Sequence, residues 1–150
     1  MKAGGSARPT SQETLDAREH YVYQEGRAVY RAAVLSMLTS TQNVMKRNNL
    51  TGNDIDFLVP HQANLRIIEA ISKRIEVPDD KVLINIEYRG NTSAASIPLC
   101  LDENRNRLHK GDKIVMTAFG AGFTWGAMYL VALRPPASRQ SNPENTQHTA

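Results

Sequence analysis

Leu58-Val59-Pro60-His61-Gln62-Ala63-Asn64-Leu65-Arg66 carries a short apolar run into a polar turn, and Arg89-Gly90-Asn91-Thr92-Ser93-Ala94-Ala95-Ser96 makes a similar passage further on. Each reads as a strand end followed by the start of a helix. Phe57-Leu58-Val59 has the unbroken apolar character of a buried strand, and Pro60 stops it. Gln62 to Glu76 returns to helical spacing, with Leu65, Ile68, Ile71 and Ile75 inward and Glu69 and Lys73 paired on the wet side. After the turn Val77-Pro78-Asp79-Asp80, Val82 to Ile86 is expected to form a second strand. Ser93 to Leu108 is expected to be a helix capped by Asn91 or Thr92, which Pro98 kinks unless it falls in the first turn.

Upstream, Tyr30, Val34, Met37/Leu38, Thr41 and Met45 mark one face of a long helix beginning at Gly26, and Asn48-Asn49 with Gly52-Asn53-Asp54 end it. Met1 to Gln24 has no periodicity and reads as a loop or extended arm. Downstream, Lys113 to Phe119 and Thr124 to Leu133 are strands joined through Gly120-Ala121-Gly122, a connection short enough for an antiparallel pair. This alternation argues for an α/β fold: a mixed sheet, its last strand antiparallel, with helices packed on its faces. The expected organisation is an arm at 1–25, a domain at 26–133 and a disordered tail at 134–150, where Pro, Ser and Asn dominate. No internal repeat is visible.

At 150 residues, 41% hydrophobic and 22% charged, the chain suits one soluble core rather than two full domains. A net charge of +3 with no basic block interleaved with aromatics does not argue for nucleic acid. One cysteine excludes an internal disulfide framework and suits a reducing cytoplasm. Met1 to Gln12 lacks the apolar core of a signal peptide, and no apolar run approaches membrane-spanning length.

His61 sits at a strand's carboxyl end, where ligands of α/β sheets bind, and the following helix favours a neutral ring donating one N–H. A capping or core histidine is the plainer alternative. Asn91 reads first as an N-cap; if Thr92 caps instead, its amide can donate two hydrogen bonds forward. Two such neutral donors can converge on one carbonyl oxygen and stabilise the charge that develops there. Gly120-Ala121-Gly122-Phe123-Thr124-Trp125-Gly126 is no dinucleotide fingerprint, because the third glycine comes one residue late and a strand follows. It is either a backbone loop offering N–H groups to a ligand or a tight strand connection. Cys100 lies in Ile97-Pro98-Leu99-Cys100-Leu101 with no base in view and reads as a small buried hydrophobe. His20, His61, His109 and His148 are scattered without ligand spacing, so no metal site is expected. Arg66, Lys73 and Arg74 make a basic side on the helix after His61, either a solvated face or a docking face for an acidic partner.

In order, Val59-Pro60-His61-Gln62-Ala63-Asn64, Gly90-Asn91-Thr92-Ser93-Ala94-Ala95-Ser96 and Phe119-Gly120-Ala121-Gly122-Phe123-Thr124-Trp125-Gly126 resemble the C-terminal half of the β-ketoacyl-acyl-carrier-protein synthase III family. The resemblance extends over residues 1–133. It implies a thiolase-like fold and an acyltransferase of fatty acid biosynthesis, which condenses malonyl-acyl carrier protein with an acyl-CoA starter and loses carbon dioxide. His61 and Asn91 would be two members of a Cys-His-Asn triad that stabilises the enolate. The loop Gly120, Ala121, Gly122 would offer the Ala121 N–H to the oxyanion formed on the acyl-cysteine. Members often have glycine at this middle position; alanine keeps the N–H and adds a Cβ near the substrate. Arg66, Lys73 and Arg74 would receive the acidic carrier protein. No cofactor is implied beyond the substrates acyl-CoA and malonyl-acyl carrier protein, and no nucleic acid or membrane partner.

Complete members are considerably longer, with the nucleophilic cysteine in an N-terminal half; Cys100 matches no catalytic position. Met1 therefore reads as an internal methionine of a longer enzyme, partnered by the missing half or a homodimer mate. The first strand of this half is expected to be absent as well, leaving four. The inner helices would then expose apolar surface, an association liability. Two alternatives stand beside the acyltransferase reading. One is a non-catalytic remnant or interaction module binding carrier protein or a full-length synthase. The other is a different condensing enzyme of the same fold, of the quinolone or polyketide starter type.

Overall fold

The computed structural model describes residues 2–133, so the tail expected at 134–150 lies outside the described residues. The chain divides into two units, Met1–Ala32 and Ala33–Ala150. In the first, helix α1 (Gln12–Asp16) interrupts the expected arm. Ser11 and Thr14 make reciprocal bonds: the Thr14 N–H donates to Ser11 Oγ at 3.3 Å, and the Ser11 N–H to Thr14 Oγ1 at 2.8 Å. This capping box satisfies donors that an isolated turn of helix would leave to water. Its signal was present at Ser11 and Thr14, but threonine replaces the usual Glu or Gln. Arg8 and Glu19 pair at 2.9 Å within the same unit.

Helix α2 (Gly26–Arg47) follows. Its buried stripe is Ala33, Val34, Met37, Thr41 and Met45, so Tyr30, expected inward, lies one turn before the stripe begins and is exposed. The second unit's sheet has three strands: β1 (Phe57–Pro60), β2 (Lys113–Gly120) and β3 (Thr124–Val131). The order is β1-β2-β3, with β1 parallel to β2 and β3 antiparallel to β2.

All four residues of β1 are buried, because helices cover both of its faces. Alternate side chains point to opposite sides of a strand. Leu58 joins Val34, Met37, Val115 and the apolar stripe Ile67, Ile68, Ile71 and Ile75 of α3 (Leu65–Ile75). Phe57 and Val59 meet Leu83, Ile114 and Cys100, the last on α5 (Ser96–Glu103). The hydrophobic burial that holds the sheet is thus shared between two clusters, one on each side of β1.

Helix α3 starts at Leu65, later than expected, because Asn64 caps it by accepting the Arg66 N–H at 2.9 Å. Leu65 itself is only partly buried; Ile67 is the buried residue of the first turn. The expected strand Val82–Ile86 is not formed. One parallel bridge, Leu58 to Val82, and the bond from Leu83 N–H to Leu58 O remain of it. The chain then turns into a short helix α4 (Ile86–Arg89), since the buried Gln62 amide takes the Asn85 and Ile86 N–H groups out of the ladder. The described sheet therefore has three strands where four were expected.

The long helix expected from Ser93 to Leu108 is divided. A 3₁₀ turn at Ser93–Ala95 precedes α5, and another at Arg105–Arg107 follows it. Asn104 ends α5 by donating its Nδ2 to Cys100 O at 2.9 Å. Pro98 is the third residue of α5, within the first turn, where its missing N–H costs no intrahelical bond.

Among the described residues of the second unit the exposed large apolar side chains are Leu35 on α2, Tyr88 on α4, and Phe123, Trp125, Met128, Leu130, Val131 and Leu133 along the hairpin and just beyond it. The open apolar surface is therefore carried chiefly by the edge strand β3 and the residues flanking it, rather than by the inner helices.

Gly52 closes the turn between α2 and β1 against the end of α3. A Cβ there would lie 2.1 Å from Ile75 O and 2.5 Å from Glu76 O. These are backbone atoms that cannot swing aside, so Gly52→Ala is expected to cost about 1–3 kcal/mol. The readout is the urea midpoint; an unchanged midpoint would mean that the α3 terminus gives way freely.

Candidate active site

His61 leaves β1 with its backbone still in the sheet, its N–H donating to Thr117 O at 2.8 Å. Because β1 and β2 are parallel, with Pro60 beside Thr117, His61 and Gly120 lie toward the same carboxyl edge. Gly120 is about 10 Å further along β2, at roughly 3.3 Å per residue. The Leu58–Val82 bridge is also parallel, so the segment leading through α4 to Asn91 departs from that edge too. Binding residues of open α/β sheets gather at such an edge.

The imidazole is half-buried, and burial holds its pKa below the ordinary histidine value, which favours the neutral ring. Its Nδ1 lies 2.6 Å from the hydroxyl of Ser96, the first residue of α5. The same hydroxyl accepts the Gln62 N–H at 3.3 Å. No hydrogen bond among the described residues uses His61 Nε2.

Asn91 is exposed, and follows Gly90, which ends α4 at φ +64°, ψ −159°. A side chain would be strained in that conformation, so glycine is the residue suited to the turn. Asn91 Oδ1 accepts the Ser93 N–H at 2.9 Å. This local bond orients the carboxamide, while no hydrogen bond among the described residues uses Nδ2. Asn91 is thus held through its acceptor Oδ1 with its Nδ2 donors left over, and His61 is held at Nδ1 with Nε2 left over. No hydrogen bond joins the two side chains.

Gln62, next to His61 in the chain, is fully buried and fully engaged. Its Nε2 donates to Pro60 O at 2.7 Å and Leu83 O at 3.2 Å, and its Oε1 accepts from Asn85 N at 3.0 Å and Ile86 N at 3.2 Å. Two donors and two acceptor sites are all that an amide has. Further out, Glu103 of α5 accepts from Asn85 Nδ2 at 2.9 Å, Arg89 Nε at 2.6 Å and Tyr88 OH at 3.1 Å. These bonds, Asn85's foremost, hold the Glu103 carboxyl below its usual pKa and tie α4 to α5. Sequence reasoning missed Ser96, Gln62, Asn85 and Glu103. The available signal was Asn85 between Ile84 and Ile86 and Ser96 between Ala95 and Ile97; Gln62 and Glu103 carry none.

The loop Gly120, Ala121, Gly122 is an exposed connection between β2 and β3. Arg66, Lys73 and Arg74 are exposed on α3 and make no ion pair among the described residues. Arg66 and Lys73 are seven positions apart, two turns along one side of the helix. Lys73 and Arg74 occupy the last turn, where positive charge also suits the helix dipole.

Cys100 is buried in the cluster beneath β1, and burial pushes its thiol up to about 11. The thiolate fraction near pH 8 is then about 100-fold below that of a thiol with the ordinary value of 9.0. Iodoacetamide should accordingly modify Cys100 far more slowly in the native chain than in urea. Equal rates would show that the thiol is not enclosed.

The family model described as "3-Oxoacyl-[acyl-carrier-protein (ACP)] synthase III C terminal" matches residues 45–132, the span that holds β1, both candidate donors and the hairpin. The chain belongs to this family. Beta-ketoacyl-[acyl-carrier-protein] synthase III of Porphyromonas gingivalis is 59% identical over 130 residues, which are 87% of this chain and 39% of that protein. Its counterpart from Azobacteroides pseudotrichonymphae is 55% identical over 127 residues, 85% of this chain and 38% of the relative. The crystal structure of 3-oxoacyl-[acyl-carrier-protein] synthase III from Aquifex aeolicus superposes with a TM-score of 0.72 at 41% identity, covering 74% of this chain and 37% of that one. The fold is accordingly thiolase-like. The chain spans about two fifths of the length of the curated relatives it matches.

Proposed function

We propose that this chain supplies the decarboxylation half-site of a β-ketoacyl-acyl-carrier-protein synthase III. His61 Nε2–H and Asn91 Nδ2–H bind the thioester oxygen of malonyl-acyl carrier protein. The bond to the malonyl carboxylate breaks, carbon dioxide leaves, and its electron pair passes to the α-carbon and the carbonyl oxygen as an enolate. The donors stabilise that charge as it forms. The enolate carbon then attacks an acyl thioester held on a cysteine outside this chain. The tetrahedral oxyanion formed there is received by the Ala121 N–H, and the cysteine thiolate departs. Cys100, enclosed and held as the thiol, takes no part. The observation that supports this reading is the presence, in a member of this family, of two neutral side chains on segments leaving one sheet edge, His61 anchored at Nδ1 with Nε2 unengaged and Asn91 anchored at Oδ1 with Nδ2 unengaged among the described residues.

The test joins this chain to the portion of the Porphyromonas gingivalis relative that it does not match, produced separately, and supplies acetyl-CoA and malonyl-acyl carrier protein. Condensation by the mixture, with none from either part alone, is the expected result. If folded chain binds carrier protein but condenses nothing in any mixture, the interaction-module reading replaces this one.

Carrier-protein docking belongs to Arg66, Lys73 and Arg74 in this proposal. Binding of labelled carrier protein should weaken with added salt, and Arg66→Glu should weaken it on the order of fivefold, as expected of exposed charges. Binding that ignores both salt and Arg66→Glu would move the docking face elsewhere.

A further inference from the structure

We infer that Ser96 is the positioning residue that sets the tautomer of His61, holding the ring proton on Nε2. The geometry rests on three groups brought together from distant parts of the chain. Ser96 opens α5, His61 follows β1 thirty-five positions earlier, and the Gln62 N–H points at the same hydroxyl. Ser96 is buried, at 1% exposure, so water is not at hand to complete its bonding.

A serine hydroxyl has one hydrogen to give and two lone pairs to receive with. The Gln62 N–H can only donate, so it occupies a lone pair. The hydroxyl hydrogen then needs an acceptor, and among the described residues no hydrogen bond other than that to His61 Nδ1 is open to it. Nδ1 must therefore present its lone pair, and the neutral ring carries its hydrogen on Nε2. With the opposite tautomer, Nδ1–H and Gln62 N–H would fill both lone pairs and leave the hydroxyl hydrogen buried without a partner, an arrangement proteins avoid. Burial keeps the ring neutral, so the choice is between tautomers rather than charge states.

The consequence is directional. The ring has one N–H to offer, and Ser96 ensures that it is the nitrogen facing away from the protein interior contact. This deepens the proposed decarboxylation role and depends on it for its catalytic meaning; the tautomer itself does not. Gln62 serves the arrangement through its backbone while its side chain ties Pro60 to Asn85, so the same two residues fix both ring and neighbouring loop.

The deciding experiment records long-range proton–nitrogen correlations of the full chain with ¹⁵N-labelled histidine at mildly alkaline pH. The His61 signals are assigned by their loss in His61→Gln. A pyridine-type nitrogen at Nδ1 and a pyrrole-type nitrogen at Nε2 are expected. The reverse pattern would overturn the assignment from the unsubstituted protein alone, whatever the variants do. In Ser96→Ala the two nitrogen shifts should move toward each other as the tautomers mix, and Ser96→Thr, which keeps the hydroxyl, should restore the single tautomer. A folded Ser96→Ala chain that retains a pure Nε2–H ring would also sink the idea. Loss of condensation in the two-part assay with the Nε2–H spectrum intact would count against the catalytic reading and not against Ser96. A folded Ser96→Ala chain with a pure Nε2–H ring and full activity would count against Ser96 and not against the catalytic reading.

Discussion

His61→Ala is expected to lower condensation by the proposed two-part enzyme about 10²–10³-fold, and Asn91→Ala by a similar factor. The charge on the malonyl thioester oxygen rises sharply as carbon dioxide leaves, so a bond from His61 Nε2–H is worth more in the transition state than in the bound substrate. The loss should fall on kcat with little change in KM for malonyl-acyl carrier protein. Under the proposed mechanism both donors serve one oxygen, so the double substitution should cost less than the product of the single effects. The measurement is carbon dioxide release at saturating carrier substrate. Wild-type turnover in His61→Ala and Asn91→Ala would remove both from the chemistry and leave only family membership.

Gln62→Leu should destabilise the chain by about 2–6 kcal/mol, because the Asn85 and Ile86 N–H groups lose their acceptor at about 1–3 kcal/mol each. Leucine is similar in volume and leaves little void, so the cost comes from unmet polar groups rather than from packing. A loss of that size is a large part of the stability of an ordinary domain, so partial unfolding at room temperature is an acceptable outcome. Urea unfolding of the parent and variant chains gives the number. A cost below about 1 kcal/mol would mean that water replaces the amide, and that the turn before α4 has some other cause.

Much of the architecture was legible because its causes are local. The apolar triplet before Pro60, the helical spacing of Ile68, Ile71 and Ile75, and the apolar content of Lys113 to Phe119 each report what must be buried. The short connection at Ala121 set the antiparallel sense of β3. What failed has a shared physical origin. Val82 to Ile86 has strand composition, but an amide more than twenty positions away captures its backbone donors at Asn85 and Ile86. Ser93 to Leu108 has helical composition, but Asn91 and Asn104 offer the backbone side-chain partners that divide it. Composition records propensity, and a competing hydrogen bond from elsewhere overrides it.

At the candidate site the same division holds. Residue types and their order, read along the chain, determined that neutral donors follow β1 and Gly90, because strand ends and helix starts are written in neighbouring residues. Which atom of each donor is anchored and which is free was decided only by folding. His61 Nδ1 is claimed by a hydroxyl on α5, a contact with no local trace, whereas Asn91 is claimed by the N–H two residues ahead. Hydrogen-bond saturation of buried groups is a property of three-dimensional neighbourhoods, and so it was the tertiary structure that turned a histidine into a donor with a direction.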